Sequence, residues 1–187
     1  MYIEKEVSRE TVFEGRIINV RADVAEIHGG TRVPREVVEH PGGVCVVPVD
    51  ADGSFWCVRQ FRYPIMKELL EFPAGKLERG EDPLKCAVRE LKEETGLVAG
   101  RVIYLDPIYT SPGFSNEVLH LYLALDLQKG KSNPDEGEFL TVERIARNHM
   151  LAMALQNELP DAKTMVGLFK AMQYLQQEGG FPWKRQS

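Results

Sequence analysis

Apolar and polar residues alternate along the first forty residues of the chain. One apolar set recurs at every second position: Ile18, Val20, Ala22 and Val24. Alternation of this kind places the set on one face of a β-strand. Gly29 and Gly30 accept the positive φ of a hairpin turn. The pattern therefore predicts antiparallel strands over residues 12–38, with residues 35–40 as the returning strand, either in the core sheet or in a small separate lobe.

A nearly continuous apolar run follows at residues 43–49. Such a run is typical of a strand that is covered on both faces. Residues 50–53 have the composition of a turn and residues 54–61 that of another strand, so we expect these two strands to pair as a hairpin. Further strands are predicted at residues 102–105 and 119–125.

The spacing of apolar residues becomes helical after Asp82. Four of them recur at intervals of three, one and three residues: Leu84, Ala87, Val88 and Leu91. This stripe predicts a helix over residues 83–95 with one apolar face. Asp82 is a suitable N-cap, Pro83 suits the first turn, and Gly96 is a suitable C-terminal stop.

Two further helices are predicted towards the C-terminus. One covers residues 142–159, and the other begins after Asp161 and ends at Gly179 and Gly180. The buried face of the last helix is expected to carry five residues: Met165, Leu168, Phe169, Met172 and Leu175. The order of strands, helix, strands and helices indicates an α/β protein with a mixed sheet and helices packed on its faces.

Composition narrows the class of protein. The chain has 187 residues, 43% of them hydrophobic, and a net charge of −5, which fits one medium-sized domain with or without a modest extension. No Lys/Arg block provides a nucleic-acid footprint, and no apolar run approaches the roughly 20 residues of a transmembrane helix. Neither nucleic acid nor a membrane is expected as a partner.

Cysteine usage and the N-terminus favour a cytoplasmic protein. Cys45, Cys57 and Cys86 cannot all pair within one chain, and none belongs to a Cys-x-x-Cys motif. We expect three buried, reduced thiols. The first ten residues lack the apolar stretch of a signal peptide.

Three glutamates share one face of the first predicted helix. Glu90, Glu93 and Glu94 stand at i, i+3 and i+4, positions that are neighbours on a helix surface. Their charges repel one another unless a cation neutralises them, and Mg²⁺ and Mn²⁺ prefer carboxylate oxygens. Glu81 lies at the helix entrance and Arg89 within the helix, where Arg89 can orient a carboxylate by a bidentate bond. A solvated acidic surface is the alternative for the glutamates alone.

The wider pattern resembles the Nudix box at every fixed position. Its members in this chain are Gly75, Glu81, Arg89, Glu90, Leu91, Glu93, Glu94, Gly96 and Leu97. The resemblance implies the Nudix fold, an α/β/α sandwich, and hydrolysis of a nucleoside diphosphate linked to another moiety. It also implies that Glu90 and Glu94 are the principal metal ligands. Glu93 is then a further ligand or holds water, and the backbone carbonyl of Ala74 is another ligand.

Further segments resemble the ADP-ribose pyrophosphatase branch of this family. Pro112 stands sixteen residues after Gly96, and matching stretches occur at Glu71–Glu78, Val58–Arg62 and Asp161–Thr164. The resemblance implies hydrolysis of ADP-ribose to AMP and ribose 5-phosphate with Mg²⁺, or with Mn²⁺. GDP-mannose, UDP-glucose or another nucleotide sugar is an alternative substrate, and a non-catalytic nucleotide-binding Nudix module is an alternative class.

Residues outside the box are candidates for substrate binding. Arg59 and Arg62 are expected on one strand face, where they could clamp a diphosphate with charge-assisted bonds. Pro112 and Gly113 provide a rigid bend and a close backbone approach, which suits a sugar or adenine wall, and Glu117 follows in the same loop. Ordinary surface arginines, a plain turn and a glutamate without a substrate role are the alternatives.

An acidic loop at residues 133–139 contains the candidates for a general base. In ADP-ribose pyrophosphatases, a glutamate in this loop completes the site as general base or metal ligand. Glu136 and Glu138 both fit this role, and the sequence does not choose between them. A solvated acidic loop is the alternative.

The N-terminal strands are expected to take part in a homodimer. In relatives of this branch these strands exchange across the dimer and help to bind the base. Phe13 and Arg16 could then stack on adenine, with ordinary burial in the core as the alternative for Phe13. We accordingly divide the chain into N-terminal strands at residues 1–40 and a Nudix domain at residues 41–187.

Overall fold

The structure, a computed structural model, describes residues 2–130 and 139–178. Its strands in these ranges are β1 (Lys5–Ser8), β2 (Thr11–Glu14), β3 (Asn19–Glu26), β4 (Arg32–Glu39), β5 (Gly43–Pro48), β6 (Phe55–Arg62), β7 (Lys67–Glu71), β8 (Ala74–Lys76), β9 (Leu97–Tyr109), β10 (Val118–Lys129) and β11 (Leu140–Ile145). Its α-helices there are α1 (Pro83–Thr95), α2 (Arg147–Leu155) and α3 (Ala162–Gln177). In this part of the chain, no helix combines the length and apolar character needed to cross a bilayer.

The backbone divides into two units: Met1–Gly42 with Tyr109–Leu119, and Gly43–Ile108 with His120–Ser187. The first unit contains a four-stranded sheet in which β3 pairs antiparallel with β1, β2 and β4. Gly29 and Gly30, at φ of 92° and 81°, form the turn between β3 and β4. The predicted N-terminal hairpin is therefore confirmed.

The two faces of β3 differ in burial. Ala22 is exposed, whereas Asp23 and Ala25 on the opposite face are buried. Asp23 tolerates burial because Arg21, on the same face, donates to its Oδ2 at 2.7 Å and supplies the opposite charge. The alternation of residues was correctly identified, but the apolar set marks the more open side of the strand.

The second unit is built around β5, whose six residues are all buried. Alternate side chains of this strand enter two different hydrophobic clusters. Cys45 and Val47 pack with residues of α2 and α3, whereas Val44 and Val46 pack with residues of α1. Helices therefore cover both faces of the sheet formed by β8, β5, β10 and β9 in that order, and the predicted α/β/α fold class is confirmed.

The predicted hairpin of β5 and β6 is wrong. β5 lies between β8 and β10, while β6 lies between β11 and β7 in a three-stranded sheet. One isolated bridge, between Val49 and Phe55, joins the ends of the two strands. Both edges of β6 bind other strands, so neither edge is left for continuous pairing with β5.

The helix α1 begins and ends at the predicted residues. The side chain of Asp82 accepts a hydrogen bond from the Lys85 backbone N–H, and Gly96 ends the helix at a φ of 70°. Its buried residues are Cys86, Ala87, Leu91 and Glu94. Leu84 and Val88, predicted on the buried face, are both 45% exposed, so the buried face is rotated towards the glutamates.

The helix predicted at residues 142–159 is wrong in its first part. Residues up to Ile145 form β11, and only Arg147–Leu155 is helical. β11 pairs antiparallel with β6 over its whole length, from Leu140 opposite Gln60 to Ile145 opposite Phe55. This pairing with a distant strand overrides the helical pattern, since contacts with neighbouring strands determine whether a segment forms a strand.

The last helix, α3, follows its predicted N-cap Asp161, which accepts a hydrogen bond from the Thr164 backbone N–H. Leu168 and Leu175 are buried as predicted. Phe169 is 48% exposed and does not belong to the buried face. The predicted end at residues 179–180 lies outside the described residues.

Candidate active site

The predicted metal-binding glutamates lie on α1 beside residues 73–75, where Pro73 leads into the short strand β8. A Cβ atom added to Gly75 would lie 1.9 Å from the Glu90 carboxylate, so only glycine lets that carboxylate rest against the backbone here. The backbone N–H of Ala74 donates to Oε2 of Glu94 at 3.1 Å. Two glutamates of one helix thus meet the same short segment.

Arg89 connects the remaining carboxylates of the box. Its Nε and Nη2 donate to the two oxygens of Glu81, each at 3.0 Å. Its Nη1 donates to Glu90 at 2.7 Å and to Glu93 at 2.9 Å. One guanidinium therefore makes a bidentate bond, as expected from the sequence, and faces three carboxylates at once.

These contacts stabilise the charged forms of the groups involved. The hydrogen bonds that Glu81 accepts from Arg89 and from the Glu78 backbone lower the pKa of Glu81 from its ordinary value of 4.5 to about 2. The hydrogen bond to Glu81 in turn raises the pKa of Arg89 above its ordinary value. Glu81 and Arg89 therefore both keep their charges at neutral pH.

The donor set fits a hard divalent cation. Clustered carboxylates beside backbone carbonyls are the oxygen ligands that Mg²⁺ and Mn²⁺ prefer. Glu94 is only 3% exposed and accepts a hydrogen bond from the Ala74 backbone N–H. In the present arrangement Arg89 supplies a positive charge to Glu90 and Glu93. As the side chains stand, no three His, Cys, Asp or Glu side chains within residues 2–130 and 139–178 are grouped closely enough to enclose an ion.

A second ion network adjoins the same segment. Glu71, 1% exposed, accepts hydrogen bonds from Arg62 on both oxygens, at 2.8 and 2.7 Å. Its Oε2 also accepts a hydrogen bond from Nζ of Lys163, which donates to Asp161 at 2.9 Å as well. Burial by itself raises the pKa of Glu71, but the bonds and charges of Arg62 and Lys163 outweigh burial and leave that pKa lowered.

Thr164 ties this network to the backbone that precedes this segment. Its Oγ1 accepts a hydrogen bond from the Phe72 backbone N–H at 2.9 Å and donates to Asp161 at 2.6 Å. Thr164 is fully buried, so these bonds are shielded from water. These bonds attach the start of α3 to the backbone of Phe72, two residues before Ala74.

Glu71, Lys163 and Thr164 have no role that was predicted from the sequence. They lie in Glu71–Glu78 and Asp161–Thr164, two segments that resemble the family. A signal was nevertheless present, because each segment places charged residues directly beside apolar core positions, and buried charges require partners. What the sequence could not supply was the identity of those partners.

Arg59 and Arg62 do not share one strand face as predicted. They are three positions apart in β6, whose pairing runs without interruption, so their side chains leave opposite faces of the strand. Nε of Arg59 donates to Glu143 on the neighbouring strand β11 at 2.5 Å, whereas Arg62 binds Glu71. The two arginines are 37% and 38% exposed, so each keeps part of its surface accessible.

The loop containing Pro112 and Gly113 belongs to the first unit. The Phe114 backbone N–H donates to the Ser111 carbonyl at 3.1 Å and closes the turn. The Phe114 carbonyl accepts a hydrogen bond from the Val38 N–H at 2.7 Å, which joins the loop to β4. Pro112 and Gly113 line a cavity of about 440 Å³ within this unit.

Glu117 lies at the end of this loop. Its Oε2 accepts a hydrogen bond from the hydroxyl of Thr110 at 2.6 Å. Its Oε1 lies 3.3 Å from Nδ1 of His40. The side chain is 27% exposed, so it is oriented by the protein and still reaches the surface.

The remaining candidates lie at the N-terminus and in the acidic loop. Phe13 is 53% exposed, so it is not an ordinary core residue in this structure. Its ring packs against Gly15, where an added Cβ would lie 2.7 Å from Cε1 of the ring. Arg16 is also exposed. The candidate bases Glu136 and Glu138 lie outside the described residues.

The three cysteines are free and buried, which confirms the prediction for Cys45, Cys57 and Cys86. Burial raises the pKa of Cys45 and of Cys86 to about 12. The thiol forms therefore predominate at neutral pH, and these residues are not poised as nucleophiles. Sγ of Cys86 accepts a hydrogen bond from Nη2 of Arg89 at 3.3 Å, so this thiol packs against the arginine of the Nudix box.

The layered fold and the glutamate-bearing helix beside Gly75 of β8 are features of a metal-dependent hydrolase of the α/β/α class. A family model described as "NUDIX domain" matches residues 39–166, which includes the whole box. The chain belongs to the Nudix family and is a Nudix hydrolase. Members of this family generally require a divalent metal.

Similar proteins cover nearly the full length of the chain. The ADP-ribose pyrophosphatase of Bacillus subtilis is 40% identical over 175 residues, 92% of each chain. A methanol dehydrogenase activator of Bacillus methanolicus is 38% identical over 178 residues, 94% of each chain. A solved structure described as an ADP compounds hydrolase superposes with a TM-score of 0.84 at 25% identity, over 95% of this chain and 97% of that one.

Proposed function

We propose that this Nudix hydrolase splits the pyrophosphate bond of ADP-ribose into AMP and ribose 5-phosphate. The arrangement of Glu90 and Glu94 against Ala74 and Gly75 carries the proposal. The similarity to the ADP-ribose pyrophosphatase of Bacillus subtilis, over 92% of each chain, supports ADP-ribose as the substrate. GDP-mannose and UDP-sugars are the competing substrates.

Glu90, Glu94 and the Ala74 carbonyl would hold the metal, and Glu93 would be a further ligand or hold water. We infer Mg²⁺ as the physiological ion, with Mn²⁺ as a substitute. When bound, the metal would neutralise the diphosphate and activate water. Arg89 would orient Glu90 and Glu93 by the bonds described above, while Glu81 fixes Arg89 in turn.

The reaction itself is attack of water on one phosphorus. A new phosphorus–oxygen bond forms, the bond to the bridging oxygen breaks, and the leaving phosphate departs with that oxygen. Glu136 or Glu138 would accept the proton from water as general base. Arg59 and Arg62 would donate hydrogen bonds to the non-reacting phosphate oxygens, each from its own face of β6.

Further substrate-binding roles are proposed for individual residues of the first unit. We propose that Pro112 and Gly113 form a wall for the sugar or the base and that Glu117 binds a polar group of the substrate. Phe13 and Arg16 would stack on adenine. The exposure of Phe13 supports this role, since a buried ring could not reach a ligand.

A homodimer is part of the proposal, with the strands at residues 1–40 exchanged between subunits and residues 41–187 as the Nudix domain. All residues of β1 and β2 are exposed. They include the apolar residues Val12 and Phe13, and such exposure is unusual for the strands of a monomer. Sedimentation at micromolar concentration tests this proposal, and a monomer would contradict it. The three buried thiols support a reducing compartment, and we propose the cytoplasm.

Product analysis tests the proposed activity. Purified protein with Mg²⁺ is offered ADP-ribose, GDP-mannose and UDP-glucose, and nucleotide and sugar phosphate products are quantified. Fast release of AMP from ADP-ribose, with slow cleavage of the others, is expected. Equal cleavage of all three would replace ADP-ribose by a broad nucleotide-sugar specificity. Thermal stabilisation by metal and nucleotide without any cleavage would instead indicate a binding module.

A second candidate function is activation of an alcohol dehydrogenase. The similarity to the Bacillus methanolicus activator, at 38% identity over 94% of both chains, favours it. We propose testing the protein in a methanol dehydrogenase assay beside its Glu93→Gln variant. Activation by the wild-type protein alone would link the effect to hydrolysis, whereas no activation by either would remove this candidate.

A further inference from the structure

Lys163 lies within a buried ion network. Of the residues in this network, only Arg62 has a role in the proposed hydrolysis. The Lys163 side chain is 11% exposed, and that of its partner Glu71 is 1% exposed. Its Nζ donates to Glu71 and to Asp161, the latter at 2.9 Å. The Lys163 ammonium group therefore binds two carboxylates of the protein itself.

The network is connected to the candidate metal site through four consecutive residues, 71–74. Glu71 binds Lys163, and the next residue, Phe72, donates its backbone N–H to Thr164. Two residues later, Ala74 donates its N–H to Glu94 of the box. A displacement at Glu71 is therefore transmitted along a short, extended backbone to the residues that meet the box glutamates.

Glu71 has two cationic partners, Arg62 and Lys163, and Lys163 is shared with Asp161. Arg62 is 38% exposed, whereas Lys163 is 11% exposed. A buried carboxylate without a partner is strongly unfavourable. Arg62 can therefore turn towards a ligand only if Lys163 continues to neutralise Glu71.

We propose that Lys163 is a positioning residue that holds residues 71–75 in place for the box glutamates and keeps Glu71 paired while Arg62 binds the diphosphate. The second part rests on the proposed function, because it requires a diphosphate substrate. The first part concerns metal binding alone and stands independently of which substrate is cleaved.

Calorimetric titration of the substrate-free protein with Mn²⁺ tests the first part. Lys163→Met should weaken Mn²⁺ binding by about 10-fold or more, as loss of an outer contact commonly does. Lys163→Arg, which keeps the charge, should restore most of the affinity. Lys170→Met is the matched control, since Lys170 also lies on α3 but forms its ion pair with Asp106, at 3.7 Å. It should bind Mn²⁺ as the wild-type protein does.

Amide hydrogen exchange of the metal-free protein provides a second readout. Residues 71–75 should exchange faster in Lys163→Met than in the wild-type protein, while α1 remains protected. A folded Lys163→Met with wild-type Mn²⁺ affinity and unchanged exchange would overturn the positioning role. If Lys163→Met does not fold, Thr164→Val is used in its place. This substitution removes the hydrogen bond from the Phe72 N–H and leaves every charge unchanged. Unchanged Mn²⁺ affinity of that variant overturns the proposal, and weakened affinity supports it.

Kinetics with ADP-ribose test the second part. Lys163→Met at saturating metal should raise KM more than it lowers kcat, because Arg62 is then retained by Glu71. An unchanged KM would overturn this part. A wild-type protein that binds Mn²⁺ but cleaves no nucleotide sugar would contradict the proposed function, while the Mn²⁺ titrations would still decide the positioning role. A wild-type protein that binds no Mn²⁺ would overturn both.

Discussion

Arg89 and Glu81 face each other through two parallel hydrogen bonds, Nε to Oε1 and Nη2 to Oε2, each 3.0 Å long. This pair leaves Nη1 of Arg89 directed at Glu90 and Glu93. Glu81 precedes α1 and Arg89 lies in its second turn, so the pair joins the entrance of the helix to its acidic face. The orientation of two proposed metal-binding carboxylates thus depends on a glutamate that is not itself a proposed ligand.

The first prediction concerns stability at acid pH. Because the pKa of Glu81 is lowered to about 2 in the folded protein, its stabilising effect is complete above pH about 4.5 and is lost as the pH falls towards about 2. The wild-type protein should therefore lose more unfolding free energy than Glu81→Gln when the pH is lowered from about 5 to about 3. Urea denaturation at the two pH values measures this difference.

Glu78→Gln is the matched control for that experiment. Glu78 is exposed and contributes its backbone N–H to Glu81, so neutralising its side chain leaves the Arg89 pair intact. This variant should lose stability in parallel with the wild-type protein. Equal losses in all three proteins would show that the pair adds nothing to folding.

The second prediction concerns catalysis by the acidic face. Glu93→Gln removes a charge from the proposed metal site and should lower kcat by about two orders of magnitude or more at saturating Mg²⁺. Glu158→Gln, at an exposed position after α2, should leave kcat unchanged. Steady-state rates with ADP-ribose measure both, and unaltered turnover by Glu93→Gln would remove this residue from the site.

The third prediction concerns the glycine of β8. In Gly75→Ala the new methyl group would lie 1.9 Å from the Glu90 carboxylate, so that carboxylate must move. Since the end of a glutamate side chain is flexible, we expect a shift in Tm of only a few degrees, of the order that about 1 kcal/mol produces. Mn²⁺ affinity, measured by calorimetry, should fall together with activity. Wild-type Mn²⁺ affinity in this variant would contradict the proposed position of the metal.

The fourth prediction separates two neighbouring residues of α3. Leu168 is fully buried, whereas Phe169 is 48% exposed. Leu168→Ala should lower the free energy of unfolding by about 2–5 kcal/mol through loss of core packing. Phe169→Ala should cost less than about 1 kcal/mol, because little of its contact is with the core. Denaturant titration of both variants measures the difference, and a reversed order would restore the face predicted from the sequence.

Local signals predicted α1 and its chemistry well. Asp82 and Gly96 fix the ends of the helix through contacts within a few residues, and the spacing of the glutamates fixes their common face. The same local reasoning misplaced the buried side of the helix, because Leu84 and Val88 are both 45% exposed whereas Glu94 is buried. For Arg59 and Arg62, the odd spacing in the sequence already excluded a shared strand face.

By itself the sequence determined the composition of the candidate site: the box, its glycine, and the helix that presents three glutamates on one face. Only the tertiary structure decided which distant groups support that site. Residues 140–145 are a strand because β6 offers them an edge, and Glu71 is ionised in the interior because Lys163, 92 residues away in the chain, lies against it. Such pairings arise from packing across the whole domain, and no short window of sequence contains both partners.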